Sequence, residues 1–86
     1  MTDLLWERII ENEGQTFQQI KGGEFTYAVK GNVIELSRTN RSVSKSTFIE
    51  ALKYVPLSNT VPLQQLQAPS YLFAILMDSR IRKYDW

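Results

Sequence analysis

At 86 residues and 10.0 kDa the chain has the length of one small domain. Its make-up, 43% hydrophobic, 12% aromatic and 22% charged, is that of a folded globular chain rather than a disordered one. It contains neither Cys nor His, which excludes disulfides, thiolate chemistry, the commonest general base and the commonest transition-metal ligand.

Ten Lys and Arg against nine Asp and Glu leave a net charge of +1, too even to argue for nucleic acid or membrane by itself. The distribution is less even. Residues 1–13 carry Asp3, Glu7, Glu11 and Glu13 against Arg8, whereas residues 38–53 carry Arg38, Arg41, Lys45 and Lys53 against Glu50. Residues 54–77 carry no charge. No apolar run approaches the ~20 residues that cross a bilayer. The acidic, amphipathic start is unlike a secretion signal, so the expected location is cytoplasmic, with no membrane partner.

Leu4, Leu5, Trp6, Ile9 and Ile10 recur at helical spacing, which predicts a first helix over residues 3–13, capped by Thr2 or Asp3 and ended by Gly14. Two tight turns follow. Lys21-Gly22-Gly23-Glu24 offers two central glycines, and Lys30-Gly31-Asn32-Val33 has the pattern of a type I′ or II′ hairpin turn. The second turn sets Lys30 opposite Val33, Val29 opposite Ile34, Tyr27 opposite Leu36 and Phe25 opposite Arg38. The first sets Ile20 opposite Phe25. The apolar pairs then share one face, and a three-stranded antiparallel meander is expected over residues 16–38. Phe17, Thr26, Ala28 and Val33 fall on its other face.

Residues 38–47 read as a polar, basic loop in which Val43 is the only apolar side chain. Phe48, Ala51, Leu52 and Val55 then predict a second helix with Ser44 as N-cap, stapled by Val43 and Phe48 and ended near Tyr54 by Pro56. A connector follows, with a short helical turn at residues 62–66. Pro69 suits a first helical position, and the apolar run Ser70–Met77 predicts a helix covered on several sides. The tail Arg80–Trp86 is expected to pack as an edge strand or helix end, with Ile81 and one aromatic turned inward. Trp6 and Tyr71 are expected in the core.

Readings as an enzyme fail in turn. No triad can be built without His. Ser42-Val43-Ser44-Lys45 matches a short Ser-x-x-Lys pattern, whose known hosts need a much larger cleft. Glu24 and Glu35 lie on neighbouring predicted strands, where acids are usually solvated. The expectation is a non-enzymatic domain without cofactor or metal. The basic loop is the stronger candidate. Arg38, Asn40, Arg41, Ser44, Lys45 and Ser46 supply phosphate-contacting side chains directly before a helix N-terminus, and Arg80, Arg82 and Lys83 in the tail could add to them. A DNA or RNA backbone is the expected partner. The alternative is a protein-interaction or homo-oligomerising module, docking through the acidic first helix or a sheet edge.

The order helix, three strands, helix over residues 3–54 resembles the double-stranded-RNA-binding domain. Phe25-Thr26-Tyr27-Ala28-Val29-Lys30-Gly31, followed by Ser44-Lys45 and Ala51, is similar to that family's strand-then-basic-helix layout. The family places several lysines at the start of its last helix, where this chain has Lys45 and then Ser46, Thr47 and Phe48. Residues 55–86 have no counterpart in it. Over nearly its whole length the chain also looks like small uncharacterised prokaryotic or phage-type domains, on Gly14-Gln15-Thr16-Phe17, Phe25-Thr26-Tyr27, Gly31-Asn32, Ser44-Lys45-Ser46-Thr47-Phe48 and Pro69-Ser70-Tyr71. That likeness implies no activity. The expected architecture is a single α+β domain over residues 1–86, in the order α-β-β-β-α-(short α)-α, with the helices on one face of the meander. There Ile20, Phe25, Tyr27, Val29, Ile34 and Leu36 meet Trp6, Ile9, Phe48, Leu52 and the Tyr71–Met77 helix.

Overall fold

Helix α1 (Thr2–Glu11) buries Leu5, Trp6 and Ile9, positions that share one side of a helix. The computed structural model describes residues 2–86. The helix stops before the expected residue 13. Gly14, at φ +83°, turns the chain and donates its amide to the Tyr27 carbonyl at 3.0 Å.

The strands form two antiparallel sheets. A short ribbon pairs β1 (Phe17–Gln18) with β2 (Glu24–Phe25), and a three-stranded meander joins β3 (Tyr27–Lys30), β4 (Val33–Leu36) and β5 (Ser42–Ser44) in sequence order. The α+β class and the antiparallel meander are as expected, but the meander sits one strand further along the chain. The hairpin β3–β4 has the expected register, with Tyr27 opposite Leu36, Val29 opposite Ile34 and Lys30 opposite Val33. Gly31 alone takes the positive φ of its turn (+62°), which is the type II′ choice. The third strand comes from the segment expected to be a basic loop. Val43 there pairs with Ile34, and both are fully buried.

The first ribbon corrects a register. Gln19 donates to the Gly23 carbonyl at 2.8 Å, and Gly22, at φ +88°, donates to Gln19 at 2.9 Å. This is a three-residue loop closed by a left-handed glycine, not a two-residue turn on the glycine pair. Phe17 therefore faces Phe25, and both are buried, while Ile20 rides on the exposed tip at 58%. The expected core position of Ile20 and the expected outward position of Phe17 are exchanged.

On the inner face, Tyr27, Ile34, Leu36 and Val43 meet the helices. Helix α2 (Lys45–Ala51) buries Phe48 and Ala51 and runs into a 3-10 turn at Leu52–Tyr54, and Val55 is extended before Pro56. A second 3-10 turn falls at Val61–Leu63 rather than at residues 62–66. Helix α3 (Pro69–Leu76) starts on Pro69 as expected and buries Leu72, Ala74, Ile75 and Leu76. The tail forms helix α4 (Ser79–Arg82), capped by Asp78 and anchored by buried Ile81. Trp86 turns inward, its indole N–H donating to the Leu76 carbonyl at 2.7 Å, whereas Tyr84 is fully exposed. Trp6 is buried against Phe48, and half-buried Tyr71 meets Phe25 edge-on at 4.8 Å. Burying each such side chain is worth about 1.5–3 kcal/mol. Among the described residues no helix is long and apolar enough to cross a membrane.

Candidate nucleic-acid interface

Strand β5 and the start of α2 are built from one apolar side chain and two caps. Val43 pins the strand to the core, and the alternation of the strand then turns Ser42 and Ser44 to the outer face. The Ser44 hydroxyl accepts the Thr47 amide at 3.3 Å and lies 2.9 Å from the Ser46 hydroxyl and 3.0 Å from that of Thr47. The Lys45 amide donates to the Asn32 carbonyl at 2.7 Å. Two of the first three amides of α2 are thus already bonded within the protein. The helix terminus that the sequence suggested therefore offers an anion few free amides, and side chains carry most of any contact there.

Five of the nine expected site residues come together along β5 and its approaches. Arg41 and Asn40 are exposed in the turn from β4, and Ser44, Lys45 and Ser46 follow at the other end of the strand. Arg38 sits further back. Its Nη1 donates to the Glu24 carbonyl at 3.4 Å, and a Cβ added to Gly23 would lie 2.3 Å from that nitrogen, so the guanidinium leans over the β1–β2 loop. Two residues not expected at the site join it. Lys30 lies across the sheet from Ser44 through Val33, and Asn32 lines a shallow groove with Ser44, Lys45 and Ser46. The hairpin register was readable in the sequence, but the neighbourhood of Val33 and Ser44 needed the third strand.

The outer face of the meander carries Ala28, Lys30, Val33, Glu35, Ser42 and Ser44, small or polar except for Val33. Among the described residues, Lys30, Arg41 and Lys45 have no carboxylate at ion-pair distance. Lys53, by contrast, pairs with Glu50 at 3.0 Å.

The tail cations are held on other partners. Arg80 donates to both carboxylate oxygens of Asp78 at 2.9 Å and to the Thr16 carbonyl at 2.8 Å, and its guanidinium lies 4.3 Å over the centre of the Phe17 ring. Burial by itself would push the Asp78 carboxyl up, but the hydrogen bonds from the Arg80 side chain and amide outweigh it and hold the group below the usual carboxylate value. The same side-chain bond holds Arg80 above the ordinary guanidinium value. Arg82 donates to the Trp86 carbonyl. Arg8 bridges the Ile81 carbonyl at 2.9 Å and the Asp85 carboxylate, locking α1 to the tail. Of the three tail residues only Lys83 is exposed. Nothing in the sequence marked Asp78 and Phe17 as the partners that take up Arg80.

Searches against protein-family models, curated proteins and solved structures find no match to the chain.

Proposed function

We propose that the chain is a small non-enzymatic binding domain that contacts the phosphate backbone of nucleic acid through β5 and the start of α2. Arg41, Lys45 and Lys30 supply the charge, and Asn40, Ser42, Ser44 and Ser46 supply neutral donors beside it. One observation carries the reading. The acid-free segment 38–47 forms the edge strand of the sheet, flanked by Arg41 and Lys45, which have no carboxylate at ion-pair distance among the described residues, while Arg80 and Arg82 are taken up in holding the tail. A cytoplasmic setting fits the same reading.

The test is fluorescence anisotropy on labelled DNA and RNA oligonucleotides. Arg41→Ala with Lys45→Ala should abolish most of the binding and leave the urea midpoint near that of wild type. Arg80→Ala should do the reverse. Equal affinity in wild type and the Arg41/Lys45 double variant would overturn the reading.

One observation favours a second reading, as a protein-interaction module. A groove of about 590 Å³ is lined by Ile49, Leu52, Val55, Pro56 and Trp86, with Lys53 and Asp85 on its rim. Association through this groove would be lost in Ile49→Glu and kept in the Arg41/Lys45 double variant. Light scattering after size exclusion separates the two.

A further inference from the structure

The two edges of the meander are finished differently. On the free side of β3, the Tyr27 carbonyl accepts the Gly14 amide at 3.0 Å, and the Val29 amide donates to a Glu13 carboxylate oxygen at 2.6 Å. The chain itself thus covers that edge. On β5 the Arg41 carbonyl accepts the Leu36 amide, and the Lys45 amide donates to the Asn32 carbonyl. Alternation along the strand then turns the N–H and C=O of Ser42 and the N–H of Ser44 away from β4. Among the described residues nothing is hydrogen-bonded to these three groups, and Ser42 is exposed. Beside them lies a hollow of about 400 Å³, lined by Arg41, Ser42 and Gln67.

The spacing of these groups fits one kind of ligand. A donor and an acceptor on one residue, with a further donor two residues on at about 6.8 Å, are what another extended polypeptide pairs with. A phosphate accepts hydrogen bonds but has no proton for the Ser42 carbonyl. Charge then selects among polypeptides. A second copy, paired antiparallel with Val43 on Val43 so that every edge group is used, would set Arg41 of each copy opposite Lys45 of the other. Like charges directly opposite are destabilising. An acid opposite Arg41 has the reverse effect, because Arg41 has no carboxylate at ion-pair distance among the described residues. Glu35, exposed on the outer face across from Ser42, disfavours an acid at the residue that pairs with Ser42.

We infer that the edge of β5 takes up an extended segment of a partner protein as an added antiparallel strand, with an Asp or Glu of that segment opposite Arg41. The residue before the acid pairs with Ser42 through both of its backbone groups. The carbonyl two residues earlier accepts the Ser44 amide. This inference does not depend on the nucleic-acid reading above.

The test is selection from a phage-displayed library of random linear dodecapeptides on the whole protein. Labelled peptides made from the enriched sequences are then measured by fluorescence anisotropy, with urea midpoints as the folding control. The enriched sequences should share an Asp or Glu, and binding should slow hydrogen exchange at the Ser42 and Ser44 amides. Ser42→Pro removes the outward N–H without touching a bond to β4, and should weaken binding by roughly tenfold or more at a near wild-type midpoint. N-methylation of the peptide at the residue before its acid should do the same to binding by the wild-type protein, and N-methylation at the acid should not. Arg41→Glu should reject these peptides and accept versions with Lys in place of the acid. If no peptide is enriched, if exchange at Ser42 is unchanged, or if both N-methylated peptides bind alike, the added strand is refuted. Peptides lost in Ile49→Glu but kept in Ser42→Pro would belong to the apolar groove and refute it too. Self-association that Ser42→Pro abolishes would make the occupant a second copy and overturn the charge argument.

Discussion

The guanidinium of Arg80 lies face-on over the Phe17 ring, 4.3 Å from its centre, while its nitrogens hold Asp78 and the Thr16 carbonyl. One cation thereby ties the tail to the first strand. Arg80→Ala should destabilise the fold by about 1–2 kcal/mol, from the lost cation–π contact and hydrogen bonds. Arg80→Lys should recover only part of this, because an ammonium cannot stack and fork at once. Urea denaturation measures both, and DNA binding by the two variants should stay at the wild-type level.

Acid should weaken the same clamp. Asp78 titrates lower in the folded protein than its ordinary 3.8, so above that value the unfolded chain gains nothing by protonation. As pH falls below 3.8 and through the folded value, the unfolded state takes up the proton first and this contribution to stability is lost. The urea midpoint of Asp78→Asn should therefore fall less steeply than that of wild type between pH 5 and pH 2, on the order of those end points.

Tyr27 predicts a limit at the other end of the scale. Burial, the largest influence, raises its phenol well above the ordinary 10.0, and the hydroxyl donates to the Ile9 carbonyl. Its contribution is complete below the unfolded value. It is lost as pH rises past 10.0 toward the folded value, because only the unfolded chain then ionises freely. Tyr27→Phe should lack this alkaline loss, although it gives up a hydrogen bond worth about 0.5–1.5 kcal/mol at neutral pH. Denaturation at pH values on either side of the phenol's ordinary one reads the difference.

The uneven legibility of the fold has local causes. Gly31 and the alternation around it fixed the β3–β4 pairing, because a one-residue slip would have turned Val29 and Ile34 to solvent. Strand β5 was hidden because it is three residues long and buries only Val43, too little for a period of two to appear. The first ribbon misled for another reason. Two adjacent glycines imitate a two-residue turn, yet the turn closes on Gly22 and leaves Gly23 under the Arg38 guanidinium. At the site, the basic segment and its Ser44 cap were plain in the sequence. Lys30 and Asn32 were not, since they reach the segment only through the unseen third strand.

Ser44 separates stability from binding. Ser44→Ala removes the N-cap of α2 and should cost about 1 kcal/mol. Ser44→Asp keeps a capping oxygen and should hold most of that stability, but it sets a second acid beside Lys45. Its DNA affinity should fall well below that of Ser44→Ala. Paired urea and anisotropy measurements on the two variants check the split.

The dependence of DNA affinity on salt probes the cationic corner itself. If Lys30, Arg41 and Lys45 each neutralise one phosphate, the logarithm of the binding constant should fall with the logarithm of salt concentration at a slope of about −2.7. Arg41→Ala and Lys45→Ala should each flatten that slope by roughly 0.9, and Arg80→Ala should leave it unchanged. A slope near zero, or one that shrinks only when Arg80 is removed, would contradict a phosphate contact at this strand and helix start.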